Sequence, residues 1–115
     1  MIDVKYINRH DLGPTYRSKI VDSTGATVDL TGATIVCSMK TTDGATLKIN
    51  RQSTGITIYN QITNKGEFGY NWQAGDTDTS GSYYIEFEVN PGKITYPNPK
   101  DGKAKVVIKD DLDNV

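Results

Sequence analysis

Between residues 66 and 89 the sequence alternates twice, apolar against polar, on either side of one polar turn, and a chain that does this is committed to strands. GEFGYNW puts Phe68, Tyr70 and Trp72 on one parity. SYYIEFEV puts Tyr83, Ile85, Phe87 and Val89 on one parity, with Glu86 and Glu88 on the other. Successive strand side chains point to opposite faces, so each run reads as a half-buried strand with one apolar face. Both Phe residues and the only Trp fall here, which centres the predicted core on this segment, read as a hairpin across QAGDTDTSG.

The rest of the chain repeats the motif at shorter length. Alternating runs are expected over residues 4–9, 15–22 (Tyr16, Ser18 and Ile20 on one face), 33–40 (Ala33, Ile35, Cys37 and Met39), 47–50, from Ile56 onward, 93–96 and 103–109 (Ala104, Val106 and Ile108 inward). Between them stand Gly13-Pro14, Ser23-Thr24-Gly25, Asp43-Gly44, Ser53-Thr54-Gly55, Asn64-Lys65-Gly66 and Asn90-Pro91-Gly92. Asp43-Gly44 favours a tight hairpin. Residues 74–80 have room for one helical turn capped by Asp76 or Asp78. Seven to nine short strands separated by frequent turns give an all-β fold, a β-sandwich.

At 115 residues the chain reads as one domain, the sandwich over 1–109 followed by a short acidic tail, 110–115. A chain of this size buries roughly two-thirds of its unfolded surface, enough for a core without metal or disulfide. Thirteen basic and fourteen acidic residues leave a net charge of −1, which argues against a nucleic-acid partner bound by phosphate neutralisation. No apolar run is long enough for a membrane-spanning helix, so no membrane partner is expected. The first residues lack the charged start and apolar run of a signal peptide, so synthesis and retention in a cytoplasm, or release by lysis, is the expectation. Cys37 is the single cysteine, which excludes an internal disulfide.

Four pieces in sequence order carry a resemblance: Gly13-Pro14-Thr15-Tyr16 entering a strand; Val28-Asp29-Leu30-Thr31-Gly32-Ala33-Thr34-Ile35 entering another; residues 66–72 followed by Asp76-Thr77 and Gly81-Ser82-Tyr83-Tyr84; and Glu86-Phe87-Glu88-Val89 followed by Thr95-Tyr96-Pro97. Together they resemble the N-terminal immunoglobulin-like domain of phage baseplate upper proteins. The resemblance implies an immunoglobulin-like antiparallel sandwich and a virion structural role: a tailed-phage component of the baseplate or tail, assembled in the host cytoplasm and docked onto other virion structural proteins, with homo-oligomers among the expected states. Members of that family continue into coiled or fibre-forming segments that this sequence does not contain, so their hold on receptor-binding proteins is not carried over. A capsid decoration, or an adhesive module attaching to a host surface glycan, is the alternative.

The constellations that might carry chemistry read as structure. Asp76-Thr77-Asp78-Thr79-Ser80-Gly81 matches half of a calcium loop, but the twelfth position, where a bidentate carboxylate belongs, is Phe87. His10 has no second imidazole for a metal and no triad partners. Cys37 shares the face of Ile35 and Met39, where burial quiets a thiol. There is neither a nucleophile elbow nor a phosphate-binding loop. Glu67, Glu86 and Glu88 are the best enzymatic option, two acids on one outer sheet face, yet the loops are too short to build a cleft, so no enzyme, cofactor or metal is expected. Tyr59, Tyr84 and Tyr96 are candidate exposed aromatics of a binding patch. The loops around Asp43, around Asp76 and Asp78, and at Pro97, Asn98 and Pro99 are the candidate partner contacts.

Overall fold

The computed structural model describes residues 4–22, 24–90, 93–96 and 103–110. Among them run nine strands and no helix: β1 (Val4–Asn8), β2 (Tyr16–Lys19), β3 (Ile35–Thr41), β4 (Leu47–Gln52), β5 (Ile56–Ile58), β6 (Glu67–Tyr70), β7 (Gly81–Val89), β8 (Ile94–Tyr96) and β9 (Ala104–Lys109). The larger sheet has the order β1-β9-β7-β3-β4, with β8 also on β7; the smaller is β2-β6-β5. This is an immunoglobulin-like sandwich in its connectivity, with the chain crossing between sheets after β1, β2, β4 and β6.

The segment read as a hairpin is the last of those crossings. β6 pairs with β2 and β5, β7 with β3, β8 and β9, so the two alternating runs lie in opposite sheets. A hairpin would have set both apolar sets side by side on one face; the crossing turns them toward each other. Phe68 and Phe87 meet across the core with ring centroids 4.6 Å apart in an edge-on arrangement, the geometry aromatic pairs prefer. Tyr16 lies 5.5 Å from Phe87 and 6.4 Å from Trp72. Of the inward sets expected from parity, Ile35, Cys37 and Met39, then Tyr83, Ile85, Phe87 and Val89, then Ala104, Val106 and Ile108 are buried, while Ala33, ahead of β3, is partly buried against the core.

The other departures are local. The β1–β9 pairing is parallel, from Val4↔Lys105 to Asn8↔Lys109, in a sheet otherwise antiparallel. β8 and β9 lie on the same side of β7, one on each half, as two parts of a single returning strand. The hairpin at Asp43-Gly44 has a broader loop than a two-residue turn: Thr41 and Thr46 close it through the Thr41 N–H and the Thr46 carbonyl, 2.9 Å apart. β4 runs past Asn50 through Arg51, at φ 50°, beside a register shift against β3, the mark of a bulge. Residues 74–79 form turns, not a helical turn, tightened by the Asp76 N–H to the Gln73 carbonyl at 3.0 Å.

Two contacts fix the crossing after β6. The Trp72 indole donates to the Pro14 carbonyl at 3.1 Å, pinning the approach to β2. The Tyr83 hydroxyl donates to the Thr79 carbonyl at 2.8 Å, the corner contact that immunoglobulin-type sandwiches make as the chain enters this strand. Gly66 turns the chain from the preceding loop into β6. Its φ is 83°, and a Cβ there would press on the Thr27 side chain and the Ile20 carbonyl, so glycine is required on both counts.

Candidate functional site

The sequence-chosen acids gather at one end of the sandwich, but they do different work. In the β3–β4 loop, exposed Asp43 accepts from the Thr41 hydroxyl at 2.6 Å and the Ala45 N–H at 2.9 Å. The Thr42 N–H bonds the Ser82 carbonyl at 3.1 Å, seating this loop on the start of β7. Asp78 is exposed and ion-paired with Lys48 of β4, and it also accepts from the Thr79 hydroxyl. Asp76 points the other way. It is 8% exposed, and its Oδ2 accepts from the Tyr70 hydroxyl and the Gln73 N–H. Asp76, expected as a partner contact, is thus turned inward, its Oδ2 held by donors of its own chain and little of it left at the surface. Asp76 and Asp78 do not converge on one point, as calcium ligands must.

Polar groups of the turns hold the exposed acids in their charged form. The Thr41 hydroxyl, then the Ala45 N–H, lowers the pKa of Asp43; the Lys48 ammonium and the Thr79 hydroxyl lower that of Asp78; the Thr24 hydroxyl and N–H lower that of Asp22. Burial pushes the Cys37 thiol far up, so it is a packed apolar group with no nucleophilic thiolate. His10 is exposed, at φ 71°, and its N–H bonds the Thr77 carbonyl.

The three tyrosines do not form a patch. Tyr59 lies over the outer face of the smaller sheet, beside Gly69, with the Arg17 guanidinium 4.0 Å from its ring centroid. Tyr84 is on the outer face of the larger sheet, on the far side of the sandwich, with the Lys103 ammonium 4.8 Å from its ring. Tyr96 belongs to neither surface. Its ring packs edge-on against Phe68, and its hydroxyl shares a hydrogen bond with Ser18 of the opposite sheet at 2.8 Å, so it closes the core. Parity does not say which sheet a strand joins, which is what separates Tyr59 from Tyr84; Tyr96, expected among the exposed aromatics, shares the parity of Ile94 and faces inward beside its cross-strand partner Phe87. The same division separates the glutamates: Glu67, paired with Arg17, is on the smaller sheet, while Glu86 and Glu88 are on the larger, Glu88 paired with Arg51. Pro97, Asn98 and Pro99 lie outside the described residues.

The register assembles a surface that the linear sequence scatters. Cross-strand partners place Val4, Lys105, Tyr84 and Lys40 in one row across β1, β9, β7 and β3. The next row is Tyr6, Val107 and Ser82, and beyond it Asn8 pairs with Lys109. All have the parity opposite to the buried Ile7, Ile108, Val106, Ala104, Tyr83, Ile85 and Met39, so they form one outer face. Tyr6 is 63% and Val4 38% exposed, and the Lys109 ammonium is 5.7 Å from the Tyr6 ring. The sequence signal for this face is Lys103, Lys105 and Lys109, on the parity opposite to Ala104, Val106 and Ile108.

At the opposite end, Gln61 ties two loops together. Its Oε1 accepts from the Leu30 N–H at 2.9 Å and the Gly66 N–H at 2.8 Å, and its amide donates to the Tyr59 carbonyl. The loop so held leaves Ile62 at its tip, 95% exposed.

No family model, no curated protein and no solved structure matches the chain.

Proposed function

We propose that the chain is a non-enzymatic structural domain of a tailed-phage virion, in the baseplate or tail, that docks onto neighbouring virion proteins. The observation that carries the docking part is the outer face of the larger sheet. Tyr6, Val4, Val107 and Tyr84 stand together there on strands whose other sides are locked into the core. Rigid backbone under clustered aromatic and aliphatic side chains is what a protein contact needs, since few side chains lose freedom on binding and the apolar area leaves water. The virion setting rests on the resemblance of the four ordered sequence pieces to the baseplate family. Purified particles of the phage encoding the chain, stained with gold-labelled antibody against it, should carry label on the tail or baseplate. Label on the capsid would favour a decoration, and unlabelled particles would remove the virion reading.

The adhesive alternative has one supporting feature, the Tyr6 ring, which is exposed enough for a sugar to stack on. Tyr84 is a poorer platform because it is half-buried and the Lys103 ammonium lies nearer its ring, 4.8 Å, than that of Lys109 does to Tyr6, 5.7 Å. Binding on a glycan array that disappears with Tyr6→Ala would replace docking with adhesion.

A further inference from the structure

We infer that the outer face of the larger sheet recognises an acidic protein surface, with Lys40, Lys103, Lys105 and Lys109 meeting its carboxylates and Tyr6, Val107 and Tyr84 covering its apolar side chains; this rests on the docking reading above and names the partner's chemistry.

Four cations on one face are a concentration of charge in a chain whose net charge is −1. Four acids are engaged with other cations: Glu67 with Arg17, Asp78 with Lys48, Glu88 with Arg51, Asp110 with Arg9. Among the described residues none of the four lysines has a carboxylate within ion-pair distance. Glu86, two positions beyond Tyr84 on the same side of β7, is the acid that borders the patch.

Lysines on strands commonly guard an open edge against aggregation, but that role does not fit here. β9 lies between β1 and β7, and β3 lies between β7 and β4. Both strands are paired on both sides, so Lys40, Lys105 and Lys109 protect no edge. Lys40 and Lys105 share a row with Val4 and Tyr84, Lys109 lies beside the row of Tyr6 and Val107, and that mixture of charge and apolar surface selects among anionic partners. A phosphodiester or acidic sugar polymer offers charge but little apolar surface to cover Val4 and Val107. An acidic protein surface offers both, in the arrangement of an interface with a less polar centre and a charged rim.

The size of the face sets the strength. Four strands wide and about six residues long, it covers about 380 Å² by strand spacing and rise. That is less than half of the roughly 800 Å² per partner in a standard stable interface. A single contact is therefore weak, and it is salt-sensitive because exposed charges are screened over about 8 Å at physiological ionic strength. Repetition of the site around a symmetric particle makes it firm.

The test is an amide NMR titration of the isotope-labelled chain with a glutamate–tyrosine copolymer. A thymidine oligonucleotide is run in parallel, with a dilution series of the chain alone. The expected result is that the copolymer shifts the resonances of Tyr6, Lys40, Tyr84, Lys105 and Val107, with affinity falling about tenfold between low and moderately high salt. The Lys40→Glu, Lys105→Glu double variant should lose the shifts while keeping its melting temperature, and Lys19→Glu on the smaller sheet should keep them. If the double reversal does not fold, Lys40→Gln with Lys105→Gln asks the same question. Silence of this face toward the copolymer overturns the inference. So does tighter binding of the oligonucleotide at the same residues, which makes the ligand a phosphate polymer, or the same shifts on concentration alone, which makes it a second copy. Particles that carry the antibody label while the face ignores the copolymer sink this inference and leave the docking reading standing.

Discussion

The Tyr70 hydroxyl donates to the Asp76 carboxylate inside the end of the sandwich, 2.5 Å away, six residues along a chain that has meanwhile left one sheet for the other. Burial raises the Tyr70 pKa, and the Asp76 charge raises it further, so the phenol stays a donor through the whole physiological range. The same carboxylate oxygen takes the Gln73 N–H at 2.8 Å. One acid thus fixes both where β6 stops and how the turn after it is shaped.

Asp76→Ala leaves that hydroxyl and that amide without an acceptor in a buried site. The expected loss is about 2–4 kcal/mol, from two unsatisfied donors and a charge-assisted bond. Asp76→Asn keeps one acceptor oxygen and should recover roughly half of it. Urea unfolding of the two variants beside the parent measures both. An alanine variant as stable as the parent would mean that Asp76 does not hold the turn.

Trp72 joins Tyr16 and Tyr70 through edge-on ring contacts and holds Pro14 through its indole N–H. Trp72→Ala should cost about 3–5 kcal/mol, the usual range for truncating a large buried aromatic. Trp72→Phe retains ring packing and gives up the bond to Pro14, so its cost should be well below that of the alanine variant. Thermal melts of the pair separate packing from the hydrogen bond; equal losses would mean that the ring itself contributes little.

The turn aspartates make a pH prediction. Asp22, Asp43 and Asp78 have folded-state pKa values below those of the unfolded chain, held there first by Thr24, Thr41 and Lys48 respectively. A depressed carboxylate contributes stability that is present above its unfolded pKa and lost as pH falls through the folded one. Neutral and mildly acidic solution should therefore leave these turns intact, with the loss confined to strong acid. Carboxyl carbon chemical shifts followed from neutral to acid pH give the three midpoints. Midpoints at or above the ordinary aspartate value would show that the turn hydrogen bonds do not favour the charged form.

Parity was legible from the sequence because it is local. Tyr83, Ile85, Phe87 and Val89 had to share a face whatever sheet β7 joined, and Ala104, Val106 and Ile108 likewise. Sheet membership was not legible. Nothing in residues 66–89 says that the turn at Asp76 carries the chain across the sandwich; the pairing of β6 with β2 and β5, and the contact of Phe68 with Phe87, record it. That one distinction puts Tyr59 and Tyr84 on opposite sides; Tyr96 turns inward because it pairs with Phe87 and shares the parity of Ile94. The lysine and tyrosine face was hidden for a related reason: its row through Val4, Lys105, Tyr84 and Lys40 comes from four distant stretches brought into register. Asp76 was misread for a different reason. A polar residue in a turn has two ways to face, and the buried Tyr70 hydroxyl that pulls it inward lies in another strand.

The parallel pairing of β1 with β9 has a mechanical consequence. The two strands run the same way, so a pull that separates residue 4 from residue 109 is directed along both of them. Each hydrogen bond between Val4↔Lys105 and Asn8↔Lys109 is then sheared at the same moment, and the load is shared across the five residues of β1. An antiparallel pair opened from its end would unzip one bond after another under a far smaller force. Tension applied through these two strands meets the domain in its stiffest direction, and rupture begins only when the whole β1–β9 seam slips together.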